Sequence, residues 1–230
     1  MRSESTGDTG QAVRRLVVLL MPEQRQAFQR ELDAIDAKVS ELFALVAADL
    51  ARAAHALLSG SNEVVKVLAE DELVIDLLCP EIEEMAKRAI LLQAPVASDL
   101  RFLLCVLSIL PELERSHHLV VQIASRGNHI RSEDLSPHSR GLLERMGNLL
   151  SDTWRQAADS WYQRYHSGAA VLAEHDDEMD ELHASLMAEL ASGRMTLPVT
   201  IEMTLVVAFY ERLGDHAVNI AHQMTYLAGA

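Results

Sequence analysis

The chain has 230 residues, 34 Asp and Glu against 20 Lys and Arg, and a formal net charge of −14. Ten Gly, six Pro and 4% aromatics suit long helices far better than a β-sandwich. The acidic excess repels phosphate backbones, and no Lys/Arg cluster interleaved with aromatics offsets it, so cations or basic surfaces fit as partners and nucleic acid does not.

Residues 1–20 are rich in Ser, Thr and Gly ahead of an apolar run that ends at Met21, and they read as a flexible N-terminal extension. That run is too short to span a bilayer and lacks a signal-peptidase site, so no direct membrane insertion is expected. A first helix follows from about Pro22 to Leu58, with Ile35, Val39, Leu42, Val46, Ala53 and Leu57 at helical spacing. Ser59-Gly60-Ser61-Asn62 ends it. The second helix carries a stripe of Leu68, Glu72, Ile75, Cys79, Ile82, Ala86 and Ala89, so a carboxylate occupies a position that the pattern assigns to the core. Gln93-Ala94-Pro95 turns the chain into a third helix, which runs to Arg126-Gly127-Asn128; Pro111 within it should kink or restart the helix. The polar stretch 131–139, with Pro137, is the linker that divides residues 21–130 from 131–230. A fourth helix starts near His138. The fifth has the stripe Leu172, Asp176, Met179, His183, Leu186 and Leu190, and the sixth follows Pro198. Cys79 and Cys105, inside apolar helical stretches, read as reduced core thiols of a cytosolic protein.

The chain also matches itself. Val67-Leu68-Ala69-Glu70 recurs as Val171-Leu172-Ala173-Glu174, and at the same offset Glu72 meets Asp176 and Asp76 meets Asp180. Further on, Glu114-Arg115 recurs as Glu211-Arg212 and Ile123-Ala124 as Ile220-Ala221. One internal duplication explains both blocks in order. The expected fold is therefore all-α, two tandem three-helix bundles joined end to end or side by side.

The duplicated acids carry the chemistry. Glu72 and Asp76 share one helical face, as do Asp176 and Asp180. The sixth helix adds Glu211, Asp215 and Asn219 at four-residue steps, and the third offers Glu114, His118 and Gln122 in the same places. Packed helices lie about 8–10 Å apart, so two such rows facing each other can converge on a cation. Pairs of acids four residues apart also arise by chance in a chain with 34 of them; it is their placement in apolar stripes at duplicated positions that favours a metal site over solvated acids or a salt-bridge lattice with Arg115 and Arg212. Oxygen-rich ligands favour Mg, Mn, Ca or Fe, and an imidazole at His118 admits Zn. Among the other histidines, His117 reads as a polar cap, His183 as a buried core residue, and His216 and His222 as surface or supporting residues.

Gln93-Ala94-Pro95-Val96-Ala97-Ser98-Asp99-Leu100-Arg101 and Tyr210-Glu211-Arg212-Leu213-Gly214-Asp215-His216-Ala217-Val218-Asn219-Ile220-Ala221 resemble the PhoU family of phosphate-transport accessory regulators, over nearly the whole chain from about Gln24. The family is marked by two three-helix repeats and by Glu/Asp-x-x-x-Asp motifs, which Glu72/Asp76, Asp176/Asp180 and Glu211/Asp215 fit. The resemblance implies a cytoplasmic, non-catalytic regulator that works with phosphate ABC transporter subunits and a sensor histidine kinase, binds iron or other divalent metals such as Mn, Mg or Zn, and forms a homodimer. Where the family has Glu-Arg-Ile-Gly-Asp, this chain has Glu114-Arg115-Ser116-His117-His118, so the two copies are expected to bind metal unequally.

Two other functions are compatible with the residues alone. A ferritin-type di-metal oxidoreductase would need Glu-x-x-His on two helices, and only Glu114 with His117 has that spacing, with Asp180 and His183 next. A metal-free helical scaffold is the third. No nucleophile with its base and no Gly-rich phosphate loop is present, so no catalytic residue is expected.

Overall fold

The computed structural model describes the backbone of residues 6–130, 132–162 and 168–227, with side chains for these except 6–22, 132, 168–173, 176, 226 and 227. Six helices follow in order: α1 (Thr6–Ser59), α2 (Asn62–Gln93), α3 (Ala97–Arg126), α4 (Pro137–Tyr162), α5 (Gly168–Ala191) and α6 (Leu197–Leu227), with one 3-10 turn at Ser132–Asp134 in the linker. No strand occurs among the described residues.

The helix stops act where their residues place them. Gly60 takes a left-handed φ of 68° beyond α1 and donates its N–H to Ala56 O at 2.8 Å, a common helix ending. After α2 the same left-handed position falls to Ala94, at φ 44°, ahead of Pro95, which cannot continue the helix. Two boundaries differ from the sequence reading. Helical backbone reaches back to Thr6, well before Pro22, so most of the expected extension is part of α1. Pro111 neither breaks nor restarts α3, and Pro80 likewise sits inside α2. Both helices are held on each side of the proline by buried side chains, Cys79 and Ile82 around one and Leu110 and Leu113 around the other, and this packing outweighs the lost backbone hydrogen bond.

The two repeats lie side by side. Within the first, Asp49 meets His117 and Leu57 meets Gly127, so α1 and α3 run parallel, with α2 returning between them. Across the repeats the direction is reversed: Phe43 packs on Trp161 at 5.8 Å while Ala54 meets Gly147, so α1 and α4 are antiparallel. Helices α3 and α6 are antiparallel too, since Arg126 pairs with Glu202 at 3.0 Å and Cys105 Sγ donates to Gln223 O at 3.5 Å. Helices α1, α3, α6 and α4 thus form a central four-helix ring, with α2 and α5 on its flanks.

One apolar core runs through both repeats, from Ile35, Val39 and Val46 of α1 to Leu213, Ile220 and Met224 of α6. Its widest side chains, Trp154 and Trp161, sit on α4, and Trp154 donates Nε1–H to Leu213 O at 3.1 Å. Close helix approach needs two glycines. A Cβ on Gly127 would stand 2.5 Å from Ala56 O, and one on Gly147 would stand 2.8 Å from Ala54 Cβ. By length and composition the Glu23–Ser59 part of α1 could cross a membrane, but half of its apolar window is buried in the bundle.

Candidate functional site

Three helices meet around a cavity of about 640 Å³. Glu72, Ile75 and Asp76 reach it from α2, and Glu114, Arg115, His117, His118 and Leu119 from α3. Arg212 and His216 reach it from α6 of the other repeat. All four first-repeat candidates, Glu72, Asp76, Glu114 and His118, are therefore brought to one place. Glu72 occupies a core-stripe position yet is only half-buried, because its Oε1 points to His118 Nδ1 at 2.9 Å. The rest of that stripe, Leu68, Ile75, Cys79, Ile82, Ala86 and Ala89, is buried as expected. Burial pushes the Cys79 thiol up to about 12, helped by the charges of Glu114 and Asp76. Cys79 is thus a neutral thiol beside the carboxylates.

His117 departs from the polar cap read from the sequence. It is fully buried, with Nε2 2.8 Å from Asp49 Oδ2, and Asp49 is buried on α1. Arg52 takes the other oxygen of Asp49 and reaches Asp71 of α2 at 2.9 Å, so one guanidinium joins two helices. The sequence carried a signal for Asp49: it falls in the core stripe of α1 between Val46 and Ala53. At the offset that relates the repeats, Thr153 and His175 replace Asp49 and Asp71, and Thr153 Oγ1 lies 2.9 Å from His175 Nδ1. Each repeat therefore ties its first helix to its second through polar groups at the same level.

His216 is half-buried at the cavity edge. Ser116 Oγ–H donates to Glu112 O at 2.6 Å, so its lone pair accepts from His216 Nδ1 at 2.9 Å. His216 Nε2 lies 3.6 Å from Glu112 Oε2. Burial is the main cause that lowers its pKa below the usual histidine value, with Arg115 and Arg212 adding to the effect while Glu112 and Asp215 oppose it.

The described second-repeat candidates are as open to solvent as Asp76, Glu114 and His118 of the first repeat. Asp180, Glu211, Asp215 and Asn219 are exposed, and the side chain of Asp176 lies outside the described residues, as does Leu172 of its stripe. His183 does not enter the core; it is half-buried with Nδ1 3.6 Å from Glu211 Oε2. The two acid–histidine pairs with near di-metal spacing, Glu114 with His117 and Asp180 with His183, stand in different repeats. Among the described residues, no three His, Cys, Asp or Glu side chains already stand together at metal-holding geometry.

The PhoU domain model matches this chain twice, over residues 39–127 and 143–224. The chain belongs to the PhoU family. Each match falls on one three-helix repeat, α1 to α3 and then α4 to α6. A "Phosphate-specific transport system accessory protein PhoU homolog" of Zymomonas mobilis is 32% identical over 209 residues, 88% of this chain and 86% of that protein. The "PhoU homolog 2" of the same description in Mycobacterium tuberculosis is 27% identical over 207 residues, 89% of this chain and 97% of its own length. The crystal structure of PhoU from Pseudomonas aeruginosa superposes with a TM-score of 0.81 over 88% of this chain and 99% of that one, at 24% identity. Family and tandem-repeat fold thus agree with the resemblance seen in the motifs.

Proposed function

We propose that this PhoU-family chain is a non-catalytic accessory regulator of a phosphate-specific transport system. It docks from the cytosolic side on phosphate ABC transporter subunits, and couples them to a sensor histidine kinase, as a homodimer. The observation that carries this reading is coverage: both repeats match the PhoU domain, and the relatives named as phosphate-transport accessory proteins align along nearly their whole length. A bundle of net charge −14 also favours basic protein surfaces over anionic lipid as its docking partner.

Metal is part of the proposal. Glu72, Asp76, Glu114 and His118 would hold a divalent ion in the first repeat, and Asp176, Asp180, Glu211, Asp215 and Asn219 in the second. The donor set fits a hard or borderline cation, being mainly carboxylate oxygen. Such an ion would neutralise carboxylates gathered against an apolar seam and lock each second helix to its third. The chain's own residues do the rest: Arg52, bridging Asp49 and Asp71, holds α2 on α1, and the Arg126–Glu202 pair holds the repeats together.

The test is genetic. Removing this chain from its native cell should leave phosphate-starvation promoters active in phosphate-replete medium, or alter phosphate uptake, and the wild-type chain supplied in trans should restore both. Unchanged promoter activity and unchanged uptake in the deletion strain would contradict the reading.

A further inference from the structure

The cavity on α2, α3 and α6 contains one group that the carboxylate rows do not explain. His117 is buried and lines the cavity, yet its Nδ1 has no hydrogen-bond partner. Buried polar atoms are nearly always satisfied, so an orphan of this kind needs a reason. The other side of the ring is fixed: Nε2 lies 2.8 Å from Asp49 Oδ2. A carboxylate only accepts, so Nε2 carries the hydrogen, and in the neutral ring Nδ1 is a buried lone pair that receives no hydrogen bond. Arg52 already meets the charge of Asp49 through its other oxygen, so the imidazole need not be protonated to balance it.

A carboxylate that receives one ring N–H while the other nitrogen keeps its lone pair unpartnered is the arrangement that orients metal-bound imidazoles and raises their basicity. The same cavity is lined by Glu72, Asp76 and Glu114. Their side chains do not converge on a point; Asp76 and Glu114 are exposed on the cavity wall. In the second repeat the counterpart of His117 is Gly214, whose position is packed beneath Leu150. The feature therefore belongs to the first repeat alone.

We infer that His117 is a metal ligand. Held by Asp49, it presents Nδ1 to an ion shared with Glu72, Asp76 and Glu114, and it gives the first repeat a preference for a nitrogen-seeking divalent ion such as Zn²⁺, while the second repeat keeps a site for harder ions. The inference rests on the metal-binding reading above, and it differs from it in the residue and in the ion.

The experiment uses the full chain carrying Asp215→Asn, which weakens the second repeat. After chelator treatment, Zn²⁺ and Mn²⁺ affinities are measured by competition against chromophoric chelators, and Co²⁺ is added as a spectroscopic probe. His117→Gln should lower Zn²⁺ affinity about 10- to 100-fold, lower Mn²⁺ affinity much less, and change the Co²⁺ visible spectrum. Asp49→Asn, which keeps the ring, should also weaken Zn²⁺ binding about tenfold. A variant that is merely damaged would lose both metals equally, and an unchanged Zn²⁺ to Mn²⁺ ratio in either variant overturns the inference. Loss of the nitrogen signature in His118→Ala but not in His117→Gln overturns it as well and leaves the metal-binding reading standing. If neither the parent nor the wild-type chain takes up metal, that reading fails and the inference fails with it.

Discussion

Asp49 Oδ2 and His117 Nε2 lie 2.8 Å apart, with side chains 0% and 1% exposed, in the core between α1 and α3. Removing one member of a buried, hydrogen-bonded pair costs more than the pair contributes, because the survivor is left without a partner. Asp49→Ala should therefore lower the unfolding free energy by about 3 kcal/mol in urea titrations. Asp49→Leu combined with His117→Leu should recover part of that loss. A fall below about 1 kcal/mol for Asp49→Ala would mean that the pair is not buried as described.

His216 gives the bundle a pH dependence of definite sign. Its folded-state pKa is lowered, chiefly by burial, so the unfolded chain binds the proton more readily. The stability associated with the neutral ring is present above the ordinary histidine value of 6.5 and is lost as the pH falls from there through the folded pKa. In His216→Asn, the decline in thermal midpoint between about pH 7 and 5 should be shallower than in the wild type. An equal or steeper decline would contradict the placement of His216 against Ser116.

Backbone geometry makes a pair of opposite predictions. A Cβ on Gly127 would stand 2.5 Å from Ala56 O, a backbone atom that cannot turn aside, so Gly127→Ala should destabilise by about 1–3 kcal/mol. Ala94 holds a φ of 44° that favours glycine, so Ala94→Gly should stabilise by about 1 kcal/mol. Chemical denaturation of the two variants checks both signs at once.

Much of this architecture was legible because helix punctuation and apolar spacing are local. The stripe of α2 and the stops after Ser59 and Arg126 fell where their residues placed them, whereas Pro137, expected within the linker, opens α4. The duplicated acids were legible for the same reason, since a repeat can be read without knowing the fold. What was not legible depends on which helices face each other. The antiparallel packing of α3 on α6 brings His216 to Ser116 and Arg212 into the first-repeat cavity, and nothing on α6 alone announces either contact. Asp49 stood in the core stripe of α1, but its meaning required His117 opposite it. Pro111 did not restart α3, because the penalty of a helical proline is local while the packing of Leu110 and Leu113 that overrides it is tertiary.

The central claim is that the duplicated carboxylate rows are metal sites, and elemental analysis of the full chain purified without chelator tests it most directly. The wild type should carry divalent metal in both repeats. Glu72→Gln with Asp76→Asn should remove the first-repeat share, and Asp180→Asn with Asp215→Asn the second-repeat share. Folded wild-type protein that contains no metal and takes up none of Zn²⁺, Mn²⁺ or Fe²⁺ would contradict the claim.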